Sequence, residues 1–370
     1  MPEHESVRYR VFVSYSHEDY NAAEKVVNHL KEIRCEPKWD EGFNRFHGFP
    51  EQIRLFIAHA HAFLPLITVT SSQRGWVHQE IGFAIAHNIP MMPIVIGEAL
   101  PDKAMMRDIQ AAVLNENLDG LEEVLTREEV QRVVRRHSDR HWAVYQCAET
   151  MLDRTRMLAE WADQVRDLFR PAAVRQKGAL SSFHIPDKRL THRVWKDRYA
   201  GFSPGEKQCR LHLDERRALT EHAKACPTRI IVDPSLSYDR YGPAARASRL
   251  ASLLEFLESR DARNVQVAVN TDMPPAESLT LVGDWFAAEA ISGAERKGYR
   301  HTNFTRHAPS IHRQIEMFDN EFDELLAEAG WTAKSSRSMC IRLLKKELAE
   351  GRRQTRNTTT RRKRKTKRKN

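Results

Sequence analysis

The chain has 370 residues, of which 41% are hydrophobic, which is enough for two or three domains with cores of their own. Its net charge of +9 is local: residues 352–370 contain 11 lysines and arginines and no acidic residue, and the rest of the chain has 48 basic and 50 acidic residues. This distribution excludes a protein that coats nucleic acid over its whole surface. The sequence has no signal-peptide core and no apolar run of membrane-spanning length, and its five cysteines are scattered. We therefore expect a cytoplasmic protein with reduced thiols.

Short apolar strands alternate with amphipathic helices over the first part of the chain. The strand patterns lie at 10–15, 35–39, 62–70 and 91–96, and the helical patterns lie at 21–33, 50–61, 76–86 and 121–134. Apolar strands that alternate with helices favour a parallel sheet covered on both faces. Because crossover connections are right-handed, we predict a flavodoxin-like doubly wound sheet.

The alternation weakens and then resumes in the second half. Residues 141–169 look helical and highly charged, and 175–205 show no period, which indicates a domain boundary. Strand patterns at 229–233, 265–270 and 279–282 then alternate with helical patterns at 244–259 and 311–329. We predict an α/β protein with a first domain at 1–135, a helical connector at 136–175, a second, smaller α/β domain at 176–350, and a disordered basic tail at 351–370.

The carboxyl ends of the first three strands carry the candidate site, because a doubly wound sheet binds ligands there. The sequence has no Gly-x-Gly-x-x-Gly and no Walker A motif, so conventional dinucleotide and P-loop sites are absent. An aromatic-rich rim with one carboxylate remains. Its candidate residues are Ser14, Tyr15, Trp39, Phe43, Trp76 and Glu80.

Four segments in this order resemble the TIR domain family. FVSYSHED at 12–19 resembles the first box of the family, and WDEG at 39–42 resembles the second strand and the start of the BB loop. SSQRGWVHQEIGFAIA at 71–86 contains a W-x-x-x-E pattern, and IPMMPIVIG at 89–97 resembles the fourth strand. In TIR enzymes that cleave NAD the helix glutamate is catalytic, and many TIR adaptors lack it. The resemblance implies that Glu80 is the catalytic residue.

The chemistry of NAD cleavage suits a single carboxylate. Nicotinamide leaves as a neutral base and the ribose develops positive charge, which a carboxylate stabilises without a second acid. We expect Trp39, Phe43 and Trp76 to stack on flat rings of NAD, and the segment around Ser14 and Tyr15 to hold phosphate or ribose. NAD is then the substrate, and no other cofactor and no metal are expected.

The resemblance implies a self-associating effector that releases nicotinamide and ADP-ribose, or a cyclic form of it, in bacterial anti-phage defence. Its expected partners are further copies through TIR–TIR contacts and an activating ligand or protein. Two alternatives stay open: a TIR interaction module without catalysis, and an enzyme like the nucleoside deoxyribosyltransferases.

The second half of the chain gives weaker signals. Cys209, His212, His222 and Cys226 have a zinc-like spacing, but the stretch is more typical of a polar helix, and nearby arginines do not suit a metal site. Residues 229–242, 278–291 and 298–309 resemble phospholipase-D-like sensor domains without the His-x-Lys-x₄-Asp signature of the active enzymes, which implies a sensor without catalysis. Nucleic acid is expected to contact the chain only through the basic tail.

Overall fold

The computed structural model describes residues 9–39, 49–73, 75–97, 111–140, 145–178, 182–185, 206–235, 242–273, 278–292 and 299–367. The chain divides into two compact units. The first holds the residues up to Val144 together with Arg306–His312, and the second holds Tyr145–Thr305 and Arg313–Asn370.

The first unit contains a five-stranded parallel sheet. The strands are β1 (Arg10–Ser14), β2 (Glu36–Lys38), β3 (Ala62–Ile67), β4 (Ile94–Ile96) and β5 (Ala112–Leu114). Their order is β2-β1-β3-β4-β5, and every pairing is parallel. The chain moves from β1 to one side for β2 and to the other side for β3, so the switch point lies between β1 and β3.

Helices cover both faces of this sheet. They are α1 (Tyr20–Glu32), α2 (Phe49–Ala58), α3 (Gly75–Ala86), α4 (Leu121–Val124) and α5 (Arg127–Arg140). Successive strand residues point to opposite faces: Val11 and Val13 pack with α1, α4 and α5, and Phe12 packs with α2 and α3. Phe12 pairs in register with Phe63 of β3, and their rings stack 5.7 Å apart.

The predicted flavodoxin-like sheet is confirmed for the first unit. The strand order and the two layers of helices are those that the apolar pattern indicated. The short strand β5, whose central Val113 is exposed, was not among the predicted strands. Phe43 falls in 40–48, outside the described residues.

The second unit is built on a mixed sheet. Its strands are β6 (Tyr145–Ala148), β7 (Val174–Gly178), β8 (Thr228–Val232), β9 (Val265–Val269), β10 (Ser278–Val282), β11 (Phe286–Ser292) and β12 (Tyr299–Thr305). The order is β6-β12-β11-β10-β7-β8-β9. The strands β7, β8 and β9 are parallel, and the remaining pairings are antiparallel.

The helices of this part of the chain are α6 (Met151–Leu168), α7 (Glu206–Ala225), α8 (Gly242–Glu258), α9 (Ala308–Glu328) and α10 (Ala333–Lys367). The core contains Trp161 of α6, Phe256 of α8, and Phe286 and Phe304 of the antiparallel strands. The rings of Phe286 and Phe304 lie 5.5 and 5.3 Å from that of Trp161, both edge-on.

The structure differs from the predicted connector at 136–175. Strand β6 pairs with β12, and α6 contributes Leu158, Ala162 and Val165 to the core of the second unit. The many charges of α6 concealed this apolar face. The second unit is consequently the larger of the two, whereas the sequence suggested a smaller domain.

The basic tail also differs from the prediction of disorder, because α10 continues to Lys367. Arginine and lysine are good helix formers, and no proline follows Pro309 in the chain to end the helix. Among the helices of the described residues, none combines the length and the apolar composition needed to cross a membrane.

Candidate functional site

The candidate site lies where β1 and β3 end, at the switch point of the first sheet. Ser14 is the last residue of β1, and Tyr15 and Ser16 follow it. All three are buried. After β3 the chain turns at Thr68 and enters a 3-10 turn at Ser71–Gln73 that precedes α3.

A compact turn places the start of α3 against this edge. The backbone N–H of Thr68 donates to Ser71 Oγ at 2.8 Å, and the N–H of Ser71 donates to Thr68 Oγ1 at 2.9 Å. Ser71 Oγ in turn donates to the carbonyl of Leu66 at 2.9 Å, which ties the turn to β3. These hydroxyls satisfy backbone groups that β3 and α3 leave unpaired.

Glu80 lies on the buried face of α3. The inward residues of this helix are Val77, Ile81 and Ala84, and Glu80 is buried with them at 8% exposure. A carboxylate in such a position needs a hydrogen-bond partner, because burial without one is costly. Ser14 Oγ donates to Glu80 Oε2 at 2.5 Å, so the last residue of β1 holds the carboxylate of α3.

Aromatic rings form a wall beside this pair. The ring of Trp39 lies 5.7 Å from that of Tyr15 and 5.4 Å from that of Tyr20. The ring of His17 lies 6.2 Å from Tyr15 and 6.1 Å from Trp76. The aromatic wall therefore consists of Tyr15, His17, Tyr20, Trp39 and Trp76, which come from the segments after β1 and β2 and from the first turns of α1 and α3.

A second carboxylate links the two strand ends. Thr68 Oγ1 donates to Asp19 Oδ2 at 2.7 Å. Burial raises the pKa of Asp19, the hydrogen bond from Thr68 lowers it, and the charge of Glu18 raises it, with a raised pKa as the result. Asp19 thus joins the segment after β1 to the segment after β3.

Of the residues predicted from the sequence, the structure brings Ser14 and Glu80 into direct contact and places Tyr15, Trp39 and Trp76 in one aromatic wall. Phe43 lies outside the described residues. The prediction did not include His17, Tyr20 or Thr68. The spacing of Thr68 and Ser71 is typical of a turn, but the strand predicted at 62–70 included Thr68, whereas β3 ends at Ile67.

The zinc-like spacing does not form a site. Cys209 and His222 lie 13 residues apart on α7, or about 20 Å along the helix. His222 Nδ1 accepts from the N–H of Ala172 at 2.9 Å, so Nε2 donates to the carbonyl of Ala162, also at 2.9 Å. Both ring nitrogens are therefore bound to backbone. Within the described residues, no group of three or more His, Cys, Asp or Glu side chains is placed to hold a metal ion.

The first unit is thus an α/β domain of the flavodoxin-like class with a buried carboxylate and an aromatic wall at its switch point. Residues 11–125 match the TIR domain family, and this part of the chain is a TIR domain. Among solved structures, the TIR domains in the structure of the activated Roq1 resistosome directly recognizing the pathogen effector XopQ are similar at 12% identity, over 35% of this chain and 82% of that chain, with a TM-score of 0.24. A comparison with curated proteins found no match.

Proposed function

We propose that the TIR domain of this chain cleaves the bond between nicotinamide and ribose in NAD, with Glu80 as the catalytic carboxylate. The observation that carries this proposal is the position of Glu80. It lies on the buried face of α3, at the switch point, in contact with Ser14 and beside a wall of aromatic rings. A buried carboxylate of this kind at a ligand-binding edge is typical of a functional group.

The proposed reaction places the electron pair of the broken C1′–N bond on the nicotinamide nitrogen, which leaves as a neutral base. The ribose then carries positive charge, and the carboxylate of Glu80 stabilises it. Water adds at C1′ to give ADP-ribose and releases a proton; attack by a nitrogen of the adenine ring gives a cyclic product instead. A glycosidase needs a second acid for its alkoxide leaving group, and a neutral leaving group removes that need.

The aromatic wall supplies surfaces for the flat parts of the substrate. Trp39 and Trp76 are only partly buried, so part of each residue is accessible. Stacking on rings of this kind favours nicotinamide or adenine over a sugar alone. The ring of Tyr15 packs against that of Trp39 at 5.7 Å, and contact with Phe43 stays a prediction.

Self-association is the proposed means of activation. A constitutive NADase would deplete the NAD of its own cell, and the second unit has no catalytic signature in its sequence. We therefore propose that this unit responds to an activating ligand or protein and that TIR–TIR contacts complete the active state. The TIR resemblance further suggests a cytoplasmic effector in anti-phage defence.

The test is to incubate the full-length protein with NAD over a range of protein concentrations, with and without a crowding agent, and to measure nicotinamide and ADP-ribose by chromatography. We expect nicotinamide release, with an activity per molecule that rises with concentration. Glu80→Gln keeps the size of the side chain and removes its charge, so it should lower the rate by orders of magnitude.

Glu24→Gln is the matched control, since it makes the same change at an exposed glutamate of α1. A Glu80→Gln protein that cleaves NAD at the original rate would overturn the assignment. Release of a free base from deoxynucleosides, but not from NAD, would favour the deoxyribosyltransferase alternative. No release from either substrate at any concentration, with binding to other TIR domains, would favour the interaction module.

A further inference from the structure

The helix α10 is amphipathic only in its first half. Ser336, Cys340 and Leu344 are fully buried against α8 and β9, and Leu348 is partly buried against the same core. Two ion pairs fix this half to α8: Lys345 Nζ lies 2.7 Å from Glu258 Oε1, and Arg246 Nη2 lies 2.5 Å from Glu347 Oε2. The first half of α10 is therefore an anchored part of the second unit.

The apolar pattern stops at Leu348, but the helix does not. Residues 351–367 extend α10 by 17 residues, of which nine are lysine or arginine and none is acidic or apolar. A helix that is polar all round gains nothing from packing. Like charges four residues apart, such as Arg361 and Lys365, destabilise an isolated helix. This basic extension therefore has the composition of a helix that is stabilised by a polyanion.

The amino-acid composition of the basic extension distinguishes between two candidate polyanions, a membrane surface and nucleic acid. A helix that enters the lipid boundary uses an apolar face, and the basic extension has no apolar residue from which to build one, so an anionic membrane would hold it by charge alone. Nucleic acid requires only positive charge, because phosphate contacts and the release of counterions supply the binding energy. The observations therefore favour nucleic acid over a lipid surface.

The dimensions favour duplex DNA. The basic extension is about 25 Å long as a helix, and a duplex of that length carries roughly 15 phosphate charges. An α-helix about 10–12 Å across fits the major groove of B-DNA, which is about 12 Å wide. The major groove of duplex RNA is too narrow for side chains to read. We propose that residues 351–367 form a duplex-DNA-binding helix that contacts the phosphates along the major groove.

The charge of the remaining chain indicates that DNA binding is confined to the basic extension. Without residues 352–370 the chain has slightly more acidic than basic residues, so the rest of the surface offers no net attraction for DNA. The inference does not depend on cleavage of NAD, because binding is measured in the absence of NAD.

The experiment measures binding of the full-length protein to a fluorescent 30-base-pair duplex by anisotropy at 50 and 200 mM salt. If six or more phosphates are contacted, the affinity should fall by about 10³-fold or more between the two salt concentrations. The test variant replaces five residues of the basic extension with glutamine, which preserves helix propensity. Its substitutions are Arg361→Gln, Arg362→Gln, Lys363→Gln, Arg364→Gln and Lys365→Gln.

The matched control removes the same net charge at five exposed basic residues elsewhere. Its substitutions are Lys25→Gln, Lys31→Gln, Arg54→Gln, Arg260→Gln and Lys334→Gln. The test variant should lose at least tenfold in affinity at 100 mM salt and show a shallower salt dependence, with an unchanged melting temperature, and the control should bind nearly as wild type.

Equal losses in the two variants would overturn the assignment to this helix. Affinity for duplex RNA of the same length equal to that for DNA would overturn the groove geometry. Tighter binding to vesicles with 30% phosphatidylserine than to the duplex at equal salt would overturn the choice of nucleic acid over membrane.

Discussion

The hydroxyl of Ser14 donates a hydrogen bond of 2.5 Å to Oε2 of Glu80, across 66 residues of sequence. This bond joins the carboxyl end of β1 to the buried face of α3. A hydrogen bond to a carboxylate stabilises its charged form and fixes its orientation. Ser14 is therefore a positioning residue for the carboxylate that we propose to be catalytic.

Replacing Ser14 with alanine should lower NAD cleavage while the protein remains folded. The loss of one hydrogen bond to a charged group is worth about 1.5–3 kcal/mol, so a decrease in kcat/KM of roughly ten- to a hundredfold is expected. Loss of the donor also raises the pKa of the carboxylate. The acidic limb of the pH–rate profile should therefore move to higher pH, a change that a purely structural role would not produce.

Ser16→Ala is the control for this prediction, because it removes another buried hydroxyl next to β1 and leaves the pair of Ser14 and Glu80 intact. If the two variants lose activity equally and neither shifts the pH profile, the positioning role of Ser14 is wrong. Circular dichroism and the melting temperature establish that both remain folded.

The fold of the first unit could be predicted because each of its main strands and helices has a recognisable pattern within a short segment of sequence. The apolar residues of β1 and β3 form short uninterrupted runs, and a buried parallel strand has that pattern. Glu80 could be selected because it lies four residues after Trp76, in the W-x-x-x-E pattern of the segment that resembles TIR domains. The partner of Trp39 could not be predicted in this way, since Tyr20 belongs to another element.

The second unit could be predicted only in part because its contacts are distant in sequence. Strand β7 has the sequence VRQKG, and its polar residues conceal a central strand. Arg175 lies 2.7 Å from Asp319, and Lys177 lies 2.6 Å from Glu321, both on α9. Because these carboxylates come 144 residues later, the sequence around β7 does not reveal that its charges are paired.

Acid should destabilise the TIR domain through His59. Burial, with the positive charges of Arg306, Arg10 and His61, lowers the pKa of His59 well below its ordinary value of 6.5. Below pH 6.5 the unfolded state binds this proton and the folded state does not, so the free energy of unfolding decreases as the pH falls. The decrease should approach about 1.4 kcal/mol per pH unit.

Urea unfolding at pH 7.5 and 5.5 measures this effect. His59→Asn removes the titrating group and should flatten the dependence on pH, and His17→Asn, at an exposed histidine, should leave it as in the wild type. If the free energy of unfolding of the His59→Asn protein falls with acid as steeply as that of the wild type, another group is responsible.

Gly283 should be intolerant of a side chain because two costs coincide there. It lies in the turn between β10 and β11 with φ = +53°, a conformation that costs other residues about 1–2 kcal/mol. A Cβ atom would lie 2.9 Å from Trp285 Cδ1 and 3.0 Å from Ala172 Cβ. Trp285 cannot readily move, because its ring stacks on Phe169 at 3.9 Å.

Gly330 is the control, because it has the cost of a positive φ without the cost of crowding. It follows α9 with φ = +65°, and a Cβ atom there would meet nothing within 4 Å. Gly330→Ala should therefore lower the free energy of unfolding by about 1–2 kcal/mol, and Gly283→Ala should lower it by about 1–3 kcal/mol more through crowding. Equal losses in the two variants would show that the turn at Gly283 relaxes around the new methyl group.

The ion pair between Arg154 and Glu215 should be important for the stability of the second unit. Glu215 Oε1 accepts from Arg154 Nη1 at 2.8 Å and from Ser182 Oγ at 2.5 Å, and both charged residues are buried. Burial raises the pKa of Glu215, but the charges of Arg154 and His212, with the two hydrogen bonds, outweigh burial and lower it. Glu215→Gln leaves the guanidinium of Arg154 buried without its counter-charge, so a loss of about 3–5 kcal/mol is expected.

The same two helices carry an exposed ion pair that serves as the control. Arg217 Nη2 of α7 lies 2.7 Å from Asp163 Oδ2 of α6, and half of the Arg217 side chain is exposed. Arg217→Gln should therefore cost at most about 1 kcal/mol. The double variant Arg154→Met/Glu215→Leu replaces the buried ion pair with apolar side chains and should recover most of the loss, since the guanidinium is no longer buried beside a neutral amide. Chemical unfolding of the three variants measures the free energy of unfolding of each. If Glu215→Gln loses as little stability as Arg217→Gln, water reaches the buried pair.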